Sequence, residues 1–169
     1  SHVLEMFRNV EVEEFILITG YMSNQIEAFI NTNHPDIKAR FFKQNELSGQ
    51  STAVLLAKDY VNGPVLIVFA DTIVEADLKH IRSEPSDAIA WVKEVKDPRR
   101  FGVAVPNEDG YVKRIIEKPD SMSNNLAIVG FYFLRDGARL MDAIQEQIGN
   151  HVQTKGEFYL ANAMQILLD

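Results

Sequence analysis

The sequence has no cysteine among its 169 residues, which excludes disulfides and thiolate metal sites and fits a reducing compartment. Histidine is scarce too. His2, His34, His80 and His151 lie far apart with no ligand spacing, which argues against a zinc site built from them. Long apolar runs are also missing. The stretch 65–70 is far too short to span a bilayer, and no basic and apolar leader pattern opens the sequence, so a soluble, cytoplasmic protein without a membrane partner is expected. Positive charge is in short supply. Lysine and arginine total 17 against 24 aspartates and glutamates, a net charge of −7, and Arg99-Arg100 is the only adjacent arginine pair, so no nucleic-acid partner is expected. An acidic chain that binds phosphates needs a divalent cation, local lysines, or both.

With hydrophobic residues at 46%, the chain can bury one core of ordinary size, and no linker divides it, so residues 1–169 read as one domain. Short β-rich runs alternate with helical patterns. Residues 15–20 (FILITG) read as a buried strand ended by glycine, Ser23 caps a helix running to about residue 31 with Ile26, Phe29 and Ile30 on one face, and 39–44 form a second strand. Ser51 or Thr52 opens a helix that Asn62-Gly63-Pro64 closes, and 65–70 (VLIVFA) is a continuous apolar strand. This order predicts an α/β fold whose parallel sheet carries helices on both faces. Beyond Asp71 the pattern shifts to a helix over 75–82, a strand over 88–95, a hairpin turning at 107–110, a strand over 126–134 and helices over 137–148 and 157–168. The sheet is therefore expected to be mixed and mostly parallel.

Ligands of such sheets bind outside the carboxyl ends of the strands, and those ends are polar here. Gln44 ends one strand, with Gly49 five residues on; Asp71 ends the most apolar one; Gly102 opens the hairpin, and Glu117 and Lys118 close it. A carboxylate placed like Asp71 either caps the following turn or holds a hard cation. Pro119 cannot continue a ladder, so the strand before it opens into a loop behind an acid and a base. A carboxylate accepts from sugar hydroxyls and an ammonium meets a phosphate, so the pair suits a phosphorylated sugar, although it also fits an ordinary solvated strand end.

Taken in order, these residues resemble the sugar-1-phosphate nucleotidyltransferases over the whole chain, the family that includes glucose-1-phosphate thymidylyltransferase and UTP-glucose-1-phosphate uridylyltransferase. Gln44 with Ser48-Gly49-Gln50-Ser51-Thr52-Ala53 is similar to the family's base-recognition loop, and Phe69-Ala70-Asp71-Thr72 to its metal-binding strand end. Asp97-Pro98 with Phe101-Gly102-Val103 is similar to its sugar-side loop, and Ile116-Glu117-Lys118-Pro119 to its Glu-Lys-Pro signature. The stretch 124–132, with Asn125, Ile128 and Gly130, resembles the lining of the sugar pocket, and 155–162 the helix start that carries a second metal ligand. The resemblance implies a Rossmann-like nucleotidyltransferase fold. It also implies transfer of a nucleotidyl group from dTTP or UTP to a hexose 1-phosphate, such as glucose 1-phosphate, with release of pyrophosphate. Gln44, Gly49, Asp71 and Thr72 are then expected at the nucleotide, and Gly102, Glu117, Lys118, Asn125, Ile128 and Gly130 at the sugar phosphate. Asp71 and Lys118 are the implied catalytic residues, and Asp71 and Asn162 the implied magnesium ligands.

The chain also departs from this pattern. The family opens with a strand that runs into a glycine-rich loop with an arginine, followed by a catalytic lysine, which together cradle the triphosphate. The nine glycines here never occur as Gly-x-Gly, and the family's closing segment is missing as well, so the domain is expected to be incomplete at both ends and inactive on its own. Asn162 stands where the thymidylyltransferase branch has an aspartate. An amide oxygen coordinates magnesium without adding charge, and the same position also reads as an ordinary helix residue. The alternative function is a binding or regulatory subunit for a sugar phosphate or nucleotide sugar. A metal-dependent glycosyltransferase fits less well, because Asp71-Thr72-Ile73 lacks a second carboxylate. The family's first strand would lie between 15–20 and 65–70. That gap is expected to be filled by residues outside this sequence, by a neighbouring chain in a homo-oligomer, or by a different strand order.

Overall fold

The computed structural model describes residues 2–7, 10–79 and 81–169. After a one-turn helix α1 (His2–Glu5), the chain forms β1 (Phe15–Thr19), α2 (Ser23–Asn33) and β2 (Ala39–Lys43). β1 and β2 pair in parallel, from Phe15 opposite Ala39 to Thr19 opposite Lys43, an arrangement that needs a crossover and finds it in α2. Next come α3 (Gln50–Leu55), a 3-10 turn (Lys58–Tyr60) and β3 (Val65–Val68). The remaining elements are β4 (Ala88–Glu94), β5 (Gly102–Pro106), β6 (Val112–Glu117), β7 (Leu126–Leu134), α4 (Gly137–Gly149) and α5 (Leu160–Leu168).

β7 organises the larger sheet, being the longest strand and almost wholly buried. β4 runs antiparallel along one of its edges. On the other edge β3 pairs with residues 131–134, while Val103 of β5 sits opposite Ala127, and β6 completes a hairpin with β5. The handover from β3 to β5 falls at Gly130, whose φ is 71°. There the register with β4 shifts as well, from Ala90 opposite Tyr132 to Val92 opposite Ile128, which marks a bulge. A strand that passes its edge from one neighbour to another brings the end of β3 and the start of β5 towards each other at that point.

α4 and α5 cover one face of this sheet, burying Leu140, Ile144, Leu160 and Met164 against Ile115, Ile128 and Tyr132. Asp136 starts α4 by accepting from the N–H groups of Ala138 and Arg139. The buried Gln147 amide donates to the carbonyls of Val152 (3.2 Å) and Tyr159 (3.0 Å), tying α4 to the chain that enters α5. On the opposite face Phe7 and Leu78 pack on Phe131, whose ring lies 4.3 Å from that of Trp91.

The α/β class and the mixed pairing are as expected, but the balance differs: β1 with β2 is the parallel pair, and the strands of the larger sheet pair antiparallel. β1 and β3 do not pair with each other. They do share both faces. Ile16 and Ile18 join Val65, Ile67 and Phe69 at one core, and Phe15 joins Leu66 and Val68 at the other.

Other boundaries moved for local reasons. The helix expected over 75–82 does not form over 75–79: the chain is irregular there, a 3-10 turn follows at Ile81–Ser83, and residue 80 lies outside the described residues. Its preceding β-branched run Thr72-Ile73-Val74 disfavours helix, and the Asp77 carboxylate accepts from the Lys79 N–H at 3.1 Å, a local bond that competes with one. α5 begins at Leu160 rather than 157, because Thr154 and Glu157 exchange backbone hydrogen bonds around a turn at Lys155 (φ 51°) and Gly156 (φ 83°). Met22, not Ser23, holds the cap position of α2, without a side-chain capping bond. Of the stripe expected on that helix only Ile30 is buried, with Ile26 and Phe29 exposed. α3 stops at Leu55, short of Tyr60. Among the described residues no helix is long and apolar enough to cross a membrane.

Candidate functional site

Glu117 is the last residue of β6 and faces Gly102, the first of β5, across the hairpin. A Cβ on Gly102 would stand 2.8 Å from a Glu117 carboxylate oxygen and 3.1 Å from the Ala161 methyl, so the carboxyl group lies in the space glycine leaves open, against the first turn of α5. Half-buried there, Glu117 accepts no hydrogen bond from a described residue. Burial pushes its pKa up to about 7, a rise that Lys118 and Lys155 oppose and Glu157 reinforces. The buried Tyr132 phenol is likewise pushed up, by burial and then by the Glu117 charge.

The chain turns sharply after Glu117, where Lys118 takes φ 47° and its N–H donates to the Phe101 carbonyl at 2.9 Å. A left-handed backbone at a residue other than glycine is costly and is often found at functional sites. The Lys118 ammonium donates to the Tyr159 hydroxyl, lies over that ring 4.0 Å from its centroid, and has its pKa raised chiefly by that hydroxyl. Arg99, Arg100, Lys118 and Lys155 line a cavity of about 420 Å³ together with Asp97 and Asp120. Arg99 is spent on Asp97, which it grips through both carboxylate oxygens (2.9 and 2.8 Å) and holds down to about 2. Arg100 and Lys155 form no ion pair with a described residue, so three cations face the cavity unneutralised by direct contact. Such a concentration of positive charge on an acidic protein suits a phosphate.

The Gln44 side chain, just beyond β2, donates to the Gly49 carbonyl and the Thr52 hydroxyl, both at 3.1 Å, and so braces its own loop. It also borders an open cavity of about 670 Å³ with Gly20, Tyr21, Lys43 and Leu47. Gly49 (φ 132°) lies against the backbone of Phe158: a Cβ there would meet the Phe158 carbonyl oxygen at 2.4 Å and its nitrogen at 2.6 Å. Two backbone bonds, Ser51 N–H to Phe158 O (2.9 Å) and Phe158 N–H to Ser48 O (3.0 Å), fasten this loop to the segment that carries Tyr159. Loop 44–52 and the Lys118 cluster therefore share one support.

Asp71 is exposed beyond β3, with no hydrogen bond or ion pair to a described residue, so it does not cap its turn. Thr72 donates its hydroxyl to the Val129 carbonyl at 2.7 Å. Asn162, in the first turn of α5, donates its amide to the Thr154 hydroxyl at 3.0 Å and follows Ala161, on the Gly102 side of the site; no hydrogen bond joins it to Asp71. Among the described residues no three His, Cys, Asp or Glu side chains cluster as a metal site. A lone free carboxylate nonetheless fits magnesium, which takes one or two protein oxygens and keeps water and substrate phosphates as its other ligands. Asn125 is exposed and its carbonyl accepts from Val95 N–H at 3.0 Å, whereas the Ile128 side chain is buried in the core, so only its backbone can reach a ligand. The structure thus gathers Gly102, Glu117 and Lys118 in one cluster, Asp71, Thr72 and Gly130 in a second, and Gln44 and Gly49 in a third. Tyr159, Arg100 and Lys155 were missed in the sequence. Arg100 read only as half of an arginine pair, and the turn-forming Gly156 was the one local sign that Lys155 sits on a loop.

The chain is 33% identical over 168 residues to the bifunctional protein GlmU of Methanocaldococcus jannaschii, covering 99% of this chain and 38% of that protein. It is 27% identical over 138 residues to the UTP–glucose-1-phosphate uridylyltransferase AglF of Haloferax volcanii, covering 78% and 57%. The chain therefore spans less than two thirds of the length of these relatives. In fold it resembles a UDP-glucose pyrophosphorylase solved with UDP-glucose (TM-score 0.76, 18% identity, 99% of this chain and 73% of that one). HddC of Yersinia pseudotuberculosis is a second likeness (0.66, 23%, 94% and 67%). The nucleotidyl transferase family matches residues 1–163, and with that extent of agreement the chain belongs to the nucleotidyl transferase family.

Proposed function

We propose that the chain is the central part of a sugar-1-phosphate nucleotidyltransferase that joins a nucleotidyl group from UTP or dTTP to a hexose 1-phosphate, with glucose 1-phosphate the first candidate. The observation that carries this reading is a Glu117 carboxyl with no hydrogen-bond donor among the described residues, within electrostatic reach of Lys118 and Lys155, which line one cavity with Arg100. A hexose 1-phosphate is the ligand that needs both.

Lys118 and Lys155 hold the sugar phosphate, and Glu117 holds sugar hydroxyls. With a pKa of about 7, Glu117 is part neutral and part ionised near neutrality, so it can donate as well as accept there. Gly102, Asn125 and the Ile128 backbone border the sugar, and the Gln44–Gly49 loop meets the base. An oxygen of the bound sugar phosphate attacks the α-phosphorus, the bond from that phosphorus to the bridging oxygen breaks, and pyrophosphate leaves. Positioning of the two phosphates and neutralisation of their charge carry the rate. Magnesium, held by Asp71 with Asn162 as a second oxygen donor, would supply further neutralisation of the triphosphate.

Titration calorimetry with glucose 1-phosphate, and with UTP and magnesium, tests the two halves separately. Lys118→Ala is expected to weaken glucose 1-phosphate about tenfold or more and leave UTP nearly unchanged, because a charge-assisted contact is lost on one side only. Asp71→Asn is expected to do the reverse. In pyrophosphate-release assays the chain alone is expected to show no turnover, for want of a triphosphate-binding loop. Glucose 1-phosphate binding that ignores Lys118 would remove the basis of the proposal.

A further inference from the structure

We propose that Thr72 and Gly130 position the Asp71 carboxylate, and are not contacts of the nucleotide and the sugar. This rests on reading Asp71 as the cation-holding group. The turn that presents Asp71 is closed by the Thr72 N–H donating to the Phe69 carbonyl at 2.9 Å, and it is attached to β7 at three points. The Phe69 N–H donates to the Gly130 carbonyl at 2.9 Å. The Thr72 hydroxyl donates to the Val129 carbonyl at 2.7 Å. The Phe69 ring lies on the bare Cα of Gly130, where an added Cβ would stand 2.4 Å from Cδ2 and 2.9 Å from Cγ.

Asp71 makes no side-chain bond of its own, so its place is set by these attachments. The one proton of the Thr72 hydroxyl is already committed to Val129, so the group braces the turn and has no proton left to donate to a ligand. Gly130 serves the turn as well. Its φ of 71° falls where the register of β7 with β4 shifts, and its missing side chain is the seat of Phe69. Behind the seat, the Phe69 ring is 6.2 Å from that of Tyr132, the phenol that feels the Glu117 charge, so the Asp71 turn is indexed to the sugar side of the site through β7.

Mn²⁺ titrated in the presence of UTP and followed by water-proton relaxation reads the Asp71 site without turnover. Thr72→Val is expected to weaken Mn²⁺ about tenfold, as loss of a group that orients a metal ligand does, and Thr72→Ser to return it to within about twofold because the hydroxyl is kept. Gly130→Ala is expected to weaken Mn²⁺ by at least about tenfold, and adding Phe69→Leu to recover part of the loss by clearing the ring. Glucose 1-phosphate affinity is expected to stay within about twofold in Thr72→Val and Gly130→Ala, since neither residue touches the sugar on this proposal. If Asp71→Asn loses Mn²⁺ while Thr72→Val and Gly130→Ala keep it, or if Gly130→Ala loses glucose 1-phosphate and keeps Mn²⁺, the positioning role is overturned and Asp71 stands. If Asp71→Asn binds Mn²⁺ like the parent, or the parent does not bind it, the reading of Asp71 falls and this proposal with it. Circular dichroism checks that each variant folds, and should Gly130→Ala not fold, the Thr72 pair decides.

Discussion

Gly49→Ala separates two roles that the resemblance had merged. As part of a base-recognition loop, Gly49 would let the backbone approach a nucleotide; in the structure, the backbone it approaches is that of Phe158. The added methyl would meet Phe158 oxygen at 2.4 Å, nitrogen at 2.6 Å and carbonyl carbon at 2.8 Å, and these are backbone atoms that cannot swing aside. The residue also sits at φ 132° and ψ 179°, a region open essentially to glycine alone, where another residue costs about 1–3 kcal/mol. Relief of the clash means parting the loop from Phe158 and straining the Ser51–Phe158 and Phe158–Ser48 bonds, each worth about 0.5–1.5 kcal/mol. The sum is about 2–6 kcal/mol, a large share of the roughly 5–15 kcal/mol that holds an ordinary domain. Urea unfolding followed by circular dichroism measures it as a shift in midpoint at constant slope. Because Phe158 precedes Tyr159, the variant is also expected to weaken glucose 1-phosphate. A change in stability below about 0.5 kcal/mol, the size of an ordinary surface substitution, would refute the clamp and return Gly49 to the nucleotide.

Glu117 makes stability depend on pH. Its pKa is about 7 in the folded chain against an ordinary 4.5, so between these values the fold binds a proton that the unfolded chain does not. Stability from this group is therefore full below about pH 4.5, falls as pH rises to about 7 and is level above, and Glu117→Gln should flatten that part of the profile of urea midpoint against pH. Lys155→Met should weaken glucose 1-phosphate about tenfold by calorimetry, as loss of a charge-assisted phosphate contact does, with stability unchanged because the side chain is exposed and unpaired. Unchanged affinity would exclude Lys155 from the phosphate site.

Much of the site could be read from residue order because strand ends are marked locally. An apolar run such as 65–68 cannot go on past Asp71 without burying a charge, and Pro119 cannot donate to a ladder, so Asp71, Glu117 and Lys118 had to stand at the edges of the sheet. The strands, α4 and the hairpin at 107–110 followed from the same local physics of period, cap and turn. The helix over 75–82 did not, because its apolar residues satisfied a helical period while Leu78 found its burial against Phe7 and Phe131, partners far away in sequence.

Pairing, roles and charge balance lay beyond that reach. That β7 gives one edge to both β3 and β5, changing over at Gly130, goes with a backbone conformation that the letter G permits without requiring. Gly49 read as a contact of the nucleotide and Gly102 as a contact of the sugar phosphate. Only contact distances show that one leaves room for the Phe158 backbone and the other for the Glu117 carboxyl, atoms 109 and 15 residues away along the chain. Tyr159 and Lys155 stood in the stretch 155–162 read only for its metal ligand, and Arg100 in an arginine pair, since side chains that meet at one cavity from separate loops have no fixed spacing in sequence. The chain's chemistry could be written from its residue types, because a carboxylate or an ammonium keeps its character anywhere. Which of them touch, and which merely support those that do, depends on distances across the fold that no local pattern encodes.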